Sequence, residues 1–294
     1  MGALVEVVRA GGVLALTGAG MSTASGIPDY RGPTGAHRRG DPMTYSEFVH
    51  SEEGRRRYWA RSYVGWWQIA TAQPNAAHRA VAALQELGVL GSVITQNVDG
   101  LHQAGGARRV LELHGSLDRV VCLTCGSVLP RAQLDRRLRA ANPGFAERAA
   151  GAAERLRVNP DGDVDLPEEV VADFVVVPCP VCEVGVLKPD VVFFGEPVPK
   201  ERVERCFELL AAARSLLVLG SSLTVMSGYR FVRAGQPVAI VNSGPTRGDA
   251  EAGVRLDAPL EPVLAALAAA LVPAADIGED GAATGHRAGA GGVA

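Results

Sequence analysis

Three groups of residues in this 294-residue chain have the types and spacing to do chemistry. The first is Gly18-Ala19-Gly20, placed directly after the apolar run Val13-Leu14-Ala15-Leu16 and followed by Met21-Ser22-Thr23. A short buried strand that ends in Gly-Ala-Gly lets backbone amides approach a phosphate without side-chain obstruction. Ser22 is placed as an N-cap, and the helix it would open offers unpaired N–H groups to an anion. This is half of a dinucleotide fingerprint. The third glycine of G-x-G-x-x-G would fall at Thr23, which argues for a bound dinucleotide put to a use other than hydride transfer. A polar loop with Asp29, Tyr30 and Arg31 follows an Ile27-Pro28 turn instead.

The second group is Cys122-x-x-Cys125 and Cys179-x-x-Cys182, separated by 53 residues. Two such pairs read as four thiolates around one tetrahedral Zn²⁺, and a full thiolate set leaves no open position, so the metal would be structural. Gly126 and Gly185 follow the pairs, where the chain must turn tightly around a metal. The competing reading is two redox dithiols or incidental core cysteines. The fifth cysteine, Cys206, shares a helical face with Val203 and Leu210 and reads as a small buried hydrophobe.

The third group is Thr95-Gln96-Asn97-Val98-Asp99-Gly100-Leu101-His102, three hydrogen-bonding side chains at one strand end. Taken alone, Asn97 and Asp99 could simply cap the next helix. Near a phosphate loop, and beside a second apolar run that ends in His114-Gly115-Ser116, they read as a site. Of the six histidines, His37 and His50 lie in polar segments, His286 lies near the end of the chain, and His78 after Pro74-Asn75 reads as helix packing. His102 and His114 remain. His114 is favoured as a base because it ends a core strand and Gly115 leaves room for a ligand beside it.

The elements that must position these groups are legible. Apolar runs at 13–16, 92–95, 110–113, 216–219 and 238–241 each end in a polar or glycine cluster, with helical patterns between them at 76–87 and 200–213. The alternation predicts an α/β fold: a doubly wound parallel, Rossmann-like sheet with a smaller zinc-binding module inserted. Ligands of such folds bind beyond the carboxyl ends of the strands, where every polar cluster lies. Residues 1–118 and 186–273 are expected to form the nucleotide-binding domain, 119–185 the zinc module with a helical Ala/Arg-rich insertion, and 274–294 a Gly/Ala-rich disordered tail. Hydrophobic residues make up 47% of the chain, so it is globular; a net charge of −3 argues against a dominant nucleic-acid surface. No apolar run reaches membrane-spanning length, and the first 16 residues carry Glu6 and Arg9. A cytoplasmic protein with no membrane or nucleic-acid partner is the expectation.

Taken together, the motifs resemble the sirtuins. The resemblance rests on Gly18-Ala19-Gly20 through Ile27-Pro28-Asp29-Tyr30-Arg31, Thr95-Gln96-Asn97-Val98-Asp99, Leu113-His114-Gly115, the two cysteine pairs, Lys188-Pro189-Asp190-Val191-Val192-Phe193-Phe194-Gly195-Glu196, Gly220-Ser221-Ser222 and Val241-Asn242. They stand in family order. Asp161-Gly162-Asp163-Val164 and Gly244-Pro245-Thr246-Arg247 look most like the class II branch. Tyr30 stands where many sirtuins have phenylalanine, and the long insertion between the cysteine pairs is unlike the compact members.

The resemblance implies removal of acyl groups from protein lysines, with NAD consumed as co-substrate and nicotinamide and O-acyl-ADP-ribose as products. It implies that Gly18, Ala19, Gly20 and Ser22 meet the phosphates, with Asp29 and Arg31 in the same loop, and that Tyr30 shields the reactive face. Asp99 and the backbone near Val98 would hold the carboxamide, and Gln96 and Asn97 the ribose hydroxyls and water. His114 would take a proton from those hydroxyls. Gly220, Ser221 and Ser222 would meet phosphate or ribose, Asn242, Ser243 and Gly244 the adenosine ribose, and Leu260 the adenine. The run Val192, Phe193, Phe194, Gly195 and Glu196 reads on composition as a buried strand, but the resemblance makes it an edge that pairs with an extended acyl-lysine peptide. Mono-ADP-ribosyl transfer to protein is the alternative activity, and a non-catalytic NAD-sensing module a third reading. Tyr58-x-x-Arg61 has the spacing of a pair that selects acidic acyl chains in another sirtuin class. It falls about one helical turn too early before Pro74-Asn75, and so reads as a solvated or packing pair.

Overall fold

The computed structural model describes residues 1–29, 42–152 and 162–272. Tyr30, Arg31, His37, Asp161 and the expected tail lie outside the described residues. Six strands form one parallel sheet: β1 (Val13–Thr17), β2 (Leu90–Thr95), β3 (Val110–Glu112), β7 (Ser215–Leu219), β8 (Val238–Asn242) and β9 (Ala252–Asp257). Their spatial order is β3-β2-β1-β7-β8-β9. The chain works outward from β1 to one edge, leaves the sheet, and returns at β7 on the other side of β1. The topological switch therefore lies between β1 and β7, and their carboxyl ends open the crevice in which such sheets bind ligands.

The sequence explains the central strands. Every residue of β1, β7 and β8 is buried, as continuous Val/Leu/Ile runs covered on both faces require. On one face pack α1 (Gly2–Arg9), α4 (Ala76–Glu86) and α11 (Leu260–Leu271), through Leu4, Val8, Val81, Leu84, Leu264 and Leu267. On the other lie α9 (Lys200–Ala212) and α10 (Met226–Val232), through Cys206, Leu210, Phe231 and Val232. All five strands expected from the sequence are present. β9 is an addition: an edge strand, half exposed, whose only sequence signal is the alternation of Val254 and Leu256.

A second, smaller sheet is antiparallel, in the order β5-β4-β6, from β4 (Gly115–Cys122), β5 (Val128–Pro130) and β6 (Leu187–Val191). Its core takes in α6 (Arg131–Ala141), α7 (Phe145–Ala152) and α8 (Glu168–Val171), together with α2 (Tyr45–His50) and α3 (Glu52–Thr71). Phe48 meets Tyr58, Trp59 and Phe193 edge to face, as Tyr58 meets Trp59, while Tyr58 and Phe193 pack tilted. Arg131, fully buried, lies between the rings of Trp59 and Trp66, 5.0 Å from each. The short helix α5 (Leu101–Ala104) leads from β2 toward β3.

Candidate active site

Glycine lets the ends of β1 and β7 touch. A Cβ on Gly18 would lie 2.7 Å from the Ser221 Cβ, and one on Gly20 would lie 2.9 Å from the Gly220 backbone. Gly220 has φ +61°, and a Cβ there would meet Leu260 Cδ1 at 2.7 Å. The Gly20 N–H donates to the Gly220 carbonyl at 2.9 Å and the Gly18 N–H to Leu219 at 3.0 Å. The result is a cradle of bare backbone roofed by Leu260, the geometry that lets a phosphate approach amide groups. One expectation is corrected here. No α-helix opens at Ser22: the chain makes two 3₁₀ turns, Ala19–Met21 and Thr23–Ser25, and the Ser22 side chain makes no capping bond. Its hydroxyl instead donates to Asp99 Oδ2 at 2.6 Å. The loop is thus held by a carboxylate from the next strand end.

The end of β2 supplies the other wall. Asn97 Nδ2 donates to the Gly18 carbonyl and to Ser22 Oγ, both at 3.0 Å. Gln96 Nε2 donates to Ser221 Oγ at 2.9 Å and to the Thr17 carbonyl at 3.2 Å. Asp99 Oδ1 accepts from the Leu101 N–H at 2.9 Å, so this carboxylate holds the first residue of α5, whose N-cap is Gly100, as well as facing the loop. Burial pushes the Asp99 carboxyl above its usual range, against the pull of the Ser22 and Leu101 hydrogen bonds. The Val98 carbonyl accepts from Leu117, tying the cluster to β4.

His114 joins β3 to β4. Its Nδ1 lies 2.9 Å from the Gln96 carbonyl and its Nε2 2.7 Å from Ser227 Oγ. A carbonyl only accepts, so Nδ1 carries the proton and Nε2 is the basic atom of the neutral ring. Desolvation pushes its pKa below the ordinary value, and Arg202 and Arg230 push the same way against the Gln96 bond.

In the smaller body, the four sulfurs of Cys122, Cys125, Cys179 and Cys182 lie within 4.8 Å of one another. Two of the spacings are 3.7 Å, between Cys122 and Cys182, and 3.8 Å, between Cys125 and Cys179. A tetrahedron with Zn–S bonds of about 2.3 Å has edges of about 3.8 Å, so the set fits a zinc ion. A Cβ on Gly185 would fall 2.3 Å from Cys122 Sγ, and only glycine fits there.

The sequence model described as the Sir2 family matches residues 18–227. A Streptomyces coelicolor protein named NAD-dependent protein deacetylase 1 is 61% identical over 269 residues, covering 90% of this chain and 88% of its own. One of the same name from Corynebacterium efficiens is 50% identical over 250 residues, covering 84% and 88%. This chain belongs to the Sir2 family. Among solved structures, one described under the structural basis for the mechanism and regulation of Sir2 enzymes superposes with a TM-score of 0.69 at 30% identity, covering 92% of this chain and 96% of that one. A Sir2–p53 peptide–NAD⁺ complex gives 0.65 at 27%, covering 90% and 95%.

A Sir2-family chain uses NAD and carries a structural zinc, and the glycine cradle and the cysteine tetrad fit both. The structure brings Gly18, Ala19, Gly20, Ser22, Gln96, Asn97, Val98, Asp99, Gly220, Ser221 and His114 to one crevice, with Leu260 as its roof. Asn242 ends β8, and its Nδ2 donates to the Ser243 and Gly244 carbonyls at 3.0 Å. Ser222 bonds Thr224 at 3.0 Å. Asp29 is the last described residue before the 30–41 segment.

The run after β6 is partly committed. The Val192 N–H donates to the His114 carbonyl, the Phe193 N–H to Glu196 Oε2, and the Phe194 carbonyl accepts from Tyr45. Gly195 turns the chain at φ +80°, and Glu196 folds back onto the buried Lys188 ammonium at 2.9 Å. Phe193 is in the core and Phe194 faces outward. Tyr58 belongs to the aromatic core, and Arg61 donates to the Val164 carbonyl and pairs with Asp163 and Asp165. Both are packing residues, as their spacing from Asn75 predicts.

Sequence reasoning missed Ser227, which sits 113 positions from its partner His114 with no local motif to mark it. It also left the role of His102 open. His102 Nε2 bonds Thr17 Oγ1 at 2.9 Å beneath the cradle, and its ring lies edge-on to His78 at 5.0 Å. His78 completes a capping box with Asn75, whose Nδ2 holds the Met21 carbonyl at 2.7 Å. Burial lowers His78 to about 4 and His102 to about 3. Between these values and the unfolded value of about 6.5, the unfolded chain binds the protons that the folded chain refuses. Stability is therefore whole above about pH 6.5 and is lost as the pH falls. At pH 5.5 the two rings together should cost about 2–3 kcal/mol relative to pH 7.5. Urea melts at the two pH values should show this loss, and His102→Gln should remove about half of it. Equal stability at both pH values would contradict the assignment.

Proposed function

We propose that the crevice formed by the cradle, Gln96 to Asp99 and His114 is the reaction site of an NAD-dependent protein deacetylase. The activity follows from membership of the Sir2 family and from the 61% identity to a deacetylase. When bound, NAD supplies an electrophilic ribosyl carbon once nicotinamide departs. The residues of this chain bind, orient and move a proton. The glycine cradle takes the phosphates, with Ser221 and Ser222 beside it. Asp99, whose carboxyl burial pushes above its usual range, and the Val98 backbone hold the carboxamide. Gln96 and Asn97 fix the ribose hydroxyls, and Nε2 of His114 receives a proton from them. Asn242, Ser243, Gly244 and Leu260 serve the adenosine end.

The observation that carries this reading is Gln96. Its side chain bonds Thr17 and Ser221 at the cradle, and its carbonyl bonds Nδ1 of His114. One residue thereby sets the base at a fixed distance from the nucleotide loop, which is the orientation the reaction needs. Among the described residues no helix is long and apolar enough to cross a membrane. We assign the substrates to acetyl-lysine proteins of the cytoplasm, each bound as an extended peptide along residues 192–194.

The test is an acetyl-lysine peptide incubated with NAD, read as nicotinamide release and peptide mass. Val192→Asp should raise the KM for peptide about ten-fold or more, because a charge at this edge opposes the docking of an extended, largely apolar-flanked chain. The KM for NAD should stay within about two-fold, because the cradle lies elsewhere. Equal damage to both constants in a protein with a normal melting curve would mean that the peptide binds at another edge.

A further inference from the structure

We infer that Ser227 is a positioning residue for His114: its hydroxyl donates to Nε2 of the neutral ring and turns to accept from Nε2–H once the ring has taken up a proton. The inference rests on the reading of His114 as the base. It starts from the asymmetry of the two ring nitrogens. Nδ1 faces a carbonyl at 2.9 Å, which only accepts, and so keeps its hydrogen in both protonation states. Nε2 faces a hydroxyl at 2.7 Å, which can donate or accept. All proton traffic therefore runs through Nε2, which among the described residues faces a partner able to follow it.

The surroundings make such a partner necessary. Arg202 from α9 and Arg230 from α10 are the charges that act on the ring among the described residues, and both oppose a second positive charge. Arg202 is itself engaged, with the Leu113 carbonyl at 3.4 Å and Asp190 at 4.0 Å. Gln96 contributes only a neutral carbonyl, already used by Nδ1. A protonated ring would otherwise leave Nε2–H without an acceptor in a desolvated site, and an orphaned buried donor is costly. Ser227 is itself buried, in the first turn of α10. The next residue shows that this placement is built: a Cβ on Gly228 would lie 2.6 Å from Gln96 Oε1. Only glycine lets α10 press against Gln96 closely enough for Ser227 to reach the ring.

A hydrogen bond to the charged ring is about twice as strong as one to the neutral ring, so removing the hydroxyl should weaken the base. In Ser227→Ala, the His114 ring should titrate about one pH unit lower, followed by nitrogen NMR on the protein without ligands. The acidic limb of the kcat profile should move down with it, and kcat should fall about ten-fold, with the KM for NAD unchanged. Ser227→Thr, which keeps the hydroxyl, should restore the titration. A side chain that only packs would leave the titration where it is. An unshifted titration in Ser227→Ala, or failure of Ser227→Thr to restore it, overturns the role of Ser227. A His114→Ala variant run alongside separates the two levels: if it turns over normally, the reading of the base has failed. If it is inactive while Ser227→Ala titrates normally, only the positioning role has failed.

Discussion

Replacing His114 with alanine is expected to lower the deacetylation rate by about 10²- to 10⁴-fold, the usual cost of losing a general base, with NAD affinity changed by no more than a few-fold. The asymmetry comes from how the crevice is held together. The Gly18–Gly220 cradle, the Asn97–Ser22–Asp99 chain and the Gln96–Ser221 bond are all made without the imidazole. The nucleotide side therefore survives the substitution, while the imidazole nitrogen assigned as the base is removed. Ring loss also frees the Gln96 carbonyl and the Ser227 hydroxyl. Each of these buried groups left without a partner costs about 1–3 kcal/mol, so the comparison is made on protein with a confirmed melting transition. NAD binding measured by calorimetry, beside turnover of an acetyl-lysine peptide, checks both halves. Near-normal turnover would show that the proton goes elsewhere.

The parts of this arrangement that were legible in the sequence share a physical cause. β1, β2, β3, β7 and β8 are apolar runs closed by polar clusters, because a parallel strand covered on both faces has no polar side to interrupt it. The clusters mark the site because they sit where such sheets bind ligands. The cysteine pairs were legible because metal geometry fixes their spacing. What was illegible depends on encounters across the chain. Ser22 looks like a helix cap until Asp99, 77 positions away, is seen to take its hydroxyl. β9 hides because an edge strand is half exposed and its alternation spans only a few residues. Of the two histidines in the Thr95–Ser116 stretch, the sequence favours His114, which ends a core strand beside Gly115. The structure separates them by partner: His102 is sealed against Thr17 and His78, and His114 stands between a carbonyl and a hydroxyl.

Changing any one of Cys122, Cys125, Cys179 or Cys182 to serine should release zinc, lower solubility and abolish activity indirectly. Structural zinc in small sites contributes about 10–16 kcal/mol, as much as the net stability of about 5–15 kcal/mol of a whole domain. A three-thiolate remnant cannot hold the ion as tightly. The loss spreads because the ligands are not on a detached loop. Cys122 ends β4, Cys179 is buried in the smaller core, and both pack with Val120, Leu187 and Phe174. β4 begins at Gly115, the residue after His114, and a Cβ on Gly115 would lie 1.9 Å from the Asp190 carbonyl of β6. The strand that carries the metal is thus the strand that seats the base. Elemental analysis of the parent protein should give close to one zinc per chain, and each variant should show less zinc and a lower melting temperature before any effect on NAD chemistry is separable. Iron in place of zinc, or full activity in a metal-free preparation, would overturn the assignment of a structural zinc.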